Sequence, residues 1–340
     1  MSDYILGIET SCDETAAAVV AKGRKVLSNV VSSQIKVHNE YGGVVPEIAS
    51  RKHIENIIPV IDRALNLSGL KLNHLSGIAV TYGPGLIGSL LVGLTLAKSI
   101  AFAQKIPLIG INHLEAHIYA NFLEHKELKP PIICLIVSGG HTSLVHINDY
   151  WDYKILGQTI DDAAGEVFDK ISKYLDLGYP GGPIIEKLAS KGDPLSIKFP
   201  RPLINKKNYD FSFSGLKTSV IYYIKKLIDE NKVIPRNDIL ASFQHAVAEV
   251  LAEKTLNAAL KHEIDSIALA GGVAANNYLK TFIKKKANAR KVKLYYPSSQ
   301  LCTDNAVMVA SAGYYQLKNN KIASLDLDAV SRLALVKNNK

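Results

Sequence analysis

The segment His113-Leu114-Glu115-Ala116-His117 places two imidazoles four residues apart. On a helix, residues at that spacing share a face, with Cβ atoms about 5–6 Å apart. Two ring nitrogens so placed can hold one divalent ion. The pair departs from the His-Glu-x-x-His pattern of zinc proteases: Glu115 lies two residues from each histidine and points away from their shared face. The same spacing also suits two surface or capping histidines that follow Asn112.

Two glycine-rich turns could hold an anion. Ser138-Gly139-Gly140-His141-Thr142 follows an apolar run, and paired glycines let backbone N–H groups approach phosphate or carboxylate oxygens closely. A simple hairpin turn is the plain alternative. Ala270-Gly271-Gly272-Val273-Ala274-Ala275-Asn276 has the same form, with a helix start expected just after the glycines. A helix N-terminus favours anions, and Asn276 can hydrogen-bond a base or ribose. Neither turn is the Gly-x-Gly-x-x-Gly fingerprint, and no Walker lysine motif is present, which disfavours those nucleotide folds.

Several acids stand near turns. Glu9, Asp13 and Glu14 flank the first polar turn, and Asp161, Asp162 and Asp169 fall in a helical segment. Asp169 could bind a substrate hydroxyl or amine, or be a surface charge. In Cys302-Thr303-Asp304-Asn305, Thr303 or Asp304 suits the N-cap of the closing helix. A Ser-His-Asp triad has no support: His141 follows Ser138 too closely, and no strand–nucleophile–helix elbow surrounds it.

Stepping outward, the 340 residues are 47% hydrophobic, which predicts two domains or lobes, each with a real core. Charged residues are 21%, and no low-complexity tract interrupts the chain, so it reads as folded. Cys12, Cys134 and Cys302 are too scattered for a disulfide framework or zinc knuckle. Reduced thiols, no basic leader and no uninterrupted apolar run near the ~20 residues of a membrane span predict a cytoplasmic protein with no membrane partner.

The net charge of +9 is one-sided. Residues 1–150 hold 12 basic and 12 acidic residues, and the remaining 28 and 19 fall in residues 151–340. Residues 280–293 contain seven basic residues and no acid, and residues 194–209 are also acid-free. A polyanion partner, nucleic acid above all, and a solvated lysine-rich face both fit that pattern.

Hydrophobic period supplies the elements that must position these residues. Tyr4–Glu9 and residues 16–21 read as strands joined by a polar turn whose tip can face a ligand, and Lys25–Ser33 as a third strand. Helical period covers 46–67; a strand at 76–81, a long apolar helix to about residue 103, a strand at 107–111 and a helix at 113–123 follow. The order then restarts with a strand at 131–137, the Gly139-Gly140 turn and a strand at 143–147. That repeated strand–turn–strand opening is an internal echo. Helices at 161–175, 183–189, 216–227, 239–262 and 278–287, strands at 266–270 and 292–296, and a closing helix at 303–317 complete an α/β pattern.

Seven segments together resemble one family. They are Gly7-Ile8-Glu9-Thr10-Ser11-Cys12-Asp13-Glu14-Thr15, Gly83-Pro84-Gly85-Leu86, Asn112-His113-Leu114-Glu115-Ala116-His117, Val137-Ser138-Gly139-Gly140-His141-Thr142, Phe211-Ser212-Phe213-Ser214-Gly215-Leu216-Lys217-Thr218, Ala270-Gly271-Gly272-Val273 and Cys302-Thr303-Asp304-Asn305. In order and spacing they resemble the TsaD family of tRNA N6-adenosine threonylcarbamoyltransferases, relatives of the KEOPS catalytic subunit. The resemblance implies an actin/Hsp70-like (ASKHA) fold, two lobes with duplicated mixed sheets around a nucleotide cleft. The expected division is a first lobe at 1–130, a second at 131–325 and a tail at 326–340.

The resemblance also implies that His113, His117 and Asp304 bind a divalent metal, Fe2+ favoured and Zn2+ possible. It implies that Ile136, Val137, Ser138, Gly139, Gly140, Asp169, Gly182 and Asn276 bind threonylcarbamoyl-adenylate, or ATP or ADP. The implied reaction moves the threonylcarbamoyl group to the exocyclic amine of adenosine beside the anticodon, in tRNAs that read codons starting with A, and releases AMP. Asp13 and Glu14 are then the candidate catalytic carboxylates. The implied partners are tRNA, a paralogous dimerisation subunit (TsaB type) and a small ATPase (TsaE type). Two positions depart from the family pattern: Glu186 stands where Asp is common, and Asn277 where Arg is common. The competing reading is a metal-dependent glycoprotein endopeptidase, a label this family once carried. It rests on the histidine pair alone.

Overall fold

The chain opens with β1 (Tyr4–Glu9), β2 (Glu14–Ala21) and β3 (Lys25–Ser33) as an antiparallel meander. β1 and β2 read as nearly continuous apolar runs and are buried almost throughout, as strands covered on both faces must be. β3 mixes exposed and buried positions and lies at the sheet edge. The computed structural model describes residues 3–336.

After the short α1 (Ile35–Asn39), α2 (Pro46–Ser68) leads to β4 (Gly77–Gly83), and α3 (Ile87–Gln104) leads to β5 (Leu108–Asn112). β4 pairs parallel with β1, and β5 parallel with β4, giving the order β3-β2-β1-β4-β5. α4 (His113–Glu124) follows β5 without a loop. Of the described helices, α3 alone has the length and hydropathy of a membrane span. Its Leu90, Leu94, Ala97 and Ala101 pack into the core with Ile8 and Val80.

The second sheet repeats the first. β6 (Ile132–Val137), β7 (Thr142–Asp149) and β8 (Asp152–Gln158) form an antiparallel meander. Four helices follow: α5 (Ala164–Tyr174), α6 (Gly181–Ala189), α7 (Ser214–Asp229) and α8 (Arg236–Lys261). β9 (Ser266–Ala270), α9 (Asn277–Ala289) and β10 (Lys293–Tyr295) complete it. β9 pairs parallel with β6, and β10 with β9, so the order β8-β7-β6-β9-β10 matches the first sheet strand for strand. The internal echo is a true duplication of topology.

The chain closes with α10 (Ser299–Cys302) and α11 (Ala306–Lys318). Two compact units result, one from Glu127 to Ser298, the other made of the chain up to Lys126 and from Ser299 onward. This corrects the expected second lobe at 131–325: the closing helix belongs to the first unit. Part of the expected tail, residues 337–340, lies outside the described residues. The physical reason is the small-residue face of α11. Ala306, Ala310, Ala312 and Gly313 are buried, and Gly7 on β1 lets the helix come close, since a Cβ there would lie 2.3 Å from the Ala306 carbonyl oxygen.

Gly7→Val therefore overpacks the α11–β1 contact. It should lower stability by roughly 1–3 kcal/mol or more, read as a lower urea midpoint with an unchanged slope. An unchanged midpoint would show that this contact is not close in solution.

Candidate metal centre

α4 begins at His113 because Asn112 caps it. The Asn112 Oδ1 accepts the Leu114 N–H at 2.9 Å and the Glu115 N–H at 3.4 Å, and its Nδ2 donates to the Ala334 carbonyl at 3.1 Å. Every residue of α4 short of Glu124 is buried. The two histidines are therefore interior groups, not surface or capping ones. Their rings meet edge to face, with centroids 4.7 Å apart.

Asp304 comes from the far end of the chain. The residue that caps α11 is Asn305, not Thr303 or Asp304: its Oδ1 accepts the Met308 N–H at 3.1 Å. Asp304 is thereby left to face α4. Its Oδ1 stands 3.2 Å from the His117 Nε2 and 3.6 Å from the His113 Nε2. One donor atom from each of the three residues lies within 4.8 Å of the others.

The donor set fits a divalent ion. Both ring nitrogens of His117 are buried without a hydrogen-bond partner, an arrangement that costs about 1–3 kcal/mol for each unsatisfied polar group. The Asp304 Oδ1 and the His117 Nε2, 3.2 Å apart, converge on one point with the His113 Nε2. Two imidazoles and one carboxylate, with the remaining positions open, suit Fe2+ or Zn2+.

Glu9, at the end of β1, lies behind His113. It is 0% exposed. Its Oε1 accepts the Ser11 N–H at 2.6 Å, and its Oε2 accepts the Thr81 hydroxyl at 2.7 Å and faces the His113 Nδ1 at 3.1 Å. The Ser11 Oγ also stands 3.1 Å from that nitrogen. Burial favours the neutral forms of both groups. The Asp304 and Glu9 carboxylates outweigh it at His113, holding the imidazole protonated up to about 9. The His113 charge in turn outweighs burial at Glu9 and holds that carboxyl below its ordinary value. The sequence marks Glu9 only as an acid at a turn, and it does not mark Thr81. The available signal was an acid closing an otherwise apolar, fully covered strand.

Asp13 and Glu14 form the tip of the first hairpin, and β2 begins two residues earlier than its apolar pattern predicts, at Glu14. His53 of α2 pins this tip: its Nε2 donates to the Cys12 carbonyl at 3.0 Å, leaving Nδ1 to accept the Thr15 hydroxyl at 2.8 Å. Burial keeps His53 neutral by lowering its pKa. Burial, then Asp304 and Asp13, push Glu14 up to about 10. Glu115, the residue a protease reading would need, turns away and accepts a hydrogen bond from the Gln316 Nε2 at 3.0 Å.

In the second unit, Ile136 and Val137 are buried in β6, and the turn after them is tight: the Ser138 N–H donates to the His141 carbonyl at 2.8 Å. A Cβ on Gly139, Gly140, Gly182 or Gly272 would meet nothing within 4 Å, so these backbones stand open to approach. The Asp169 Oδ1 accepts the Gly181 N–H at 2.7 Å, tying α5 to the start of α6 beside Gly182. Gly271, at φ +90°, packs against the Val137 carbonyl, which joins the second glycine pair to the first turn. A 3-10 turn at Gly272–Ala275 separates the glycines from the helix expected at 278–287, which starts at Asn277. Asn276 caps α9 instead: its Oδ1 accepts the Leu279 N–H at 2.8 Å and its Nδ2 donates to the Gln244 Oε1 at 2.9 Å. The Glu186 Oε1 accepts the backbone N–H of Asn277 at 2.8 Å, a bond that does not involve the Asn277 side chain.

Part of the basic excess is neutralised internally. Lys217 pairs with Asp162 at 2.5 Å, and Lys286 and Arg290 both pair with Glu253. Lys206, Lys207, Lys284 and Lys285 remain exposed.

Comparison with known proteins gives one family. The family profile described as TsaD, tRNA N6-adenosine threonylcarbamoyltransferase, matches residues 25–311. A tRNA N6-adenosine threonylcarbamoyltransferase of Clostridium perfringens is 52% identical over 331 residues, covering 97% of this chain and 98% of the relative. One of Clostridioides difficile is 53% identical over 336 residues, covering 98% and 99%. Among solved structures, HypF of T. kodakarensis superposes with a TM-score of 0.64 at 18% identity, over 93% of this chain and 48% of that one. Component A of the (R)-2-hydroxyglutaryl-CoA dehydratase of Acidaminococcus fermentans gives 0.55 at 13%, over 93% and 99%. These distant likenesses carry the fold alone, which is of the actin/Hsp70 type.

Purified protein should carry roughly one divalent ion per chain, measured by elemental analysis. His117→Ala and Asp304→Ala should each lose it while keeping the wild-type far-ultraviolet circular dichroism. Full occupancy in both variants would rule this triad out.

Proposed function

The chain belongs to the TsaD family of tRNA N6-adenosine threonylcarbamoyltransferases, and on that premise we propose that it moves the threonylcarbamoyl group from threonylcarbamoyl-adenylate to N6 of the adenosine beside the anticodon, in tRNAs reading codons that start with A, with release of AMP. The observation that carries this reading is a match to relatives of that activity along nearly the whole chain at about half identity. The placement of Glu115 away from the histidines removes the general base that the endopeptidase alternative needs.

His113, His117 and Asp304 would hold the metal, Fe2+ favoured and Zn2+ possible. When bound, the ion supplies Lewis acidity for a carbonyl or a grip for a carboxylate. The exocyclic amine of adenosine is a weak nucleophile, so its proton needs an acceptor as the new bond forms. Asp13 and Glu14, at a tip held by His53, are the carboxylates assigned to that role. Burial first and Asp304 second hold the Glu14 proton, so a cation beside Asp304 would weaken only the second of these.

In the second unit, the backbone of Ile136, Val137, Ser138, Gly139 and Gly140 would receive the adenylate, together with Asp169, Gly182 and Asn276. The open amides at Gly139 and Gly140 suit the phosphate that leaves as AMP. Exposed Lys206, Lys207, Lys284 and Lys285 would meet tRNA phosphates. A paralogous dimerisation subunit of the TsaB type, a small ATPase of the TsaE type and a cytoplasmic location complete the proposal.

A reconstitution with tRNA, threonine, bicarbonate, ATP and the partner enzymes tests it, with nucleosides read by mass spectrometry. Wild-type protein should form threonylcarbamoyladenosine, and His113→Ala and Asp304→Ala should not. Product at the wild-type rate from both variants would remove the metal from the reaction, and metal-dependent peptide release would favour the endopeptidase instead. Lys284→Ala should reduce the salt dependence of tRNA binding by about one unit of log–log slope, and an unchanged slope would exclude that contact.

A further inference from the structure

An imidazole that ligates a metal through one nitrogen carries its proton on the other, and the partner of that second nitrogen decides which is which. At His113 the partners are known. Nδ1 faces the Glu9 Oε2 at 3.1 Å, and Nε2 faces Asp304. An ionised carboxylate only accepts hydrogen bonds, so the nitrogen facing Glu9 must carry a proton. The Ser11 Oγ, 3.1 Å from the same nitrogen, can accept or donate and does not decide the tautomer.

Resting on the metal reading above, we propose that Glu9 is the positioning residue of the metal centre: it accepts the Nδ1 proton of His113 and so keeps the Nε2 lone pair aimed at the ion. Glu9 is itself held from two sides. The Ser11 N–H fixes Oε1 at 2.6 Å, and the Thr81 hydroxyl on β4 fixes Oε2 at 2.7 Å. The turn after β1 and the neighbouring strand β4 thus aim one buried carboxylate at one ring nitrogen. His117 has no such support, since its buried Nδ1 has no hydrogen-bond partner. His113 is the preset ligand of the pair.

Glu9→Gln tests this with almost no change of shape. Oε1 must stay an oxygen to accept the Ser11 N–H, so the new amide nitrogen takes the position of Oε2 and donates to Nδ1. That moves the ring proton to Nε2, where it blocks ligation. The probe is Co2+ alone, titrated into the metal-free full chain and followed by its visible absorption. Glu9→Gln should bind Co2+ about 10–100-fold more weakly than wild type, with unchanged far-ultraviolet circular dichroism. Glu9→Asp, which keeps an acceptor-only group, should recover part of the loss. Equal affinity of wild type and Glu9→Gln, or equal loss in the Gln and Asp variants, would overturn the inference. Should Glu9→Gln fail to fold, Thr81→Val decides: it removes the bond that aims Oε2 and should weaken Co2+ binding several-fold, and no change would overturn the inference. A wild-type chain that binds no Co2+ would overturn the metal reading itself, a different outcome from either of these.

Discussion

The close approach of α11 to β1 is the contact on which the first unit depends. Asp304 and Asn305 sit at the entry to that helix. Only when α11 lies against Gly7 does Asp304 reach the two histidines of α4. The carboxylate is then brought into a buried site already occupied by Glu9, a second carboxylate. Two such groups are tolerable in one interior only with positive charge between them. In the protein alone, the His113 proton provides it. A divalent ion would provide more, and would also engage the His117 Nε2, the nitrogen that faces Asp304.

One sheet topology, used twice, presents two different sets of groups. In each unit a β-meander is followed by parallel strands, and the first hairpin turn stands at the end of the central strand. In the first unit that turn carries Asp13 and Glu14 and is pinned by a neutral histidine. In the second it carries Gly139 and Gly140, with no side chains to obstruct an oxyanion. The duplicated framework fixes where each turn lies, and the residues at each tip decide whether it offers carboxylates or bare amides.

Local pattern predicted most of the elements well, because both sheets are built from strands whose apolar runs end at polar turns. β1, β3 and β9 begin and end where hydrophobicity alone places them. Three features depended on distant partners and were not legible. The membership of α11 in the first unit depends on the absence of a side chain at Gly7, some three hundred positions away. The choice of Asn305 over Asp304 as the helix cap depends on which of two suitable caps has another partner. Glu9 reads as an ordinary acid at a turn, and its role appears only when β4 brings Thr81 beside it. The basic run at 280–293 was legible only in part: Lys286 and Arg290 look free in sequence, yet both meet Glu253 from another segment.

The account depends most directly on where a metal binds. Anomalous diffraction at the iron edge, from crystals of iron-loaded protein, measures it. The prediction is a single strong peak per chain at about 2.0–2.2 Å from the His113 Nε2, the His117 Nε2 and an Asp304 carboxylate oxygen. A peak elsewhere, or none there in protein shown to contain iron, would contradict it.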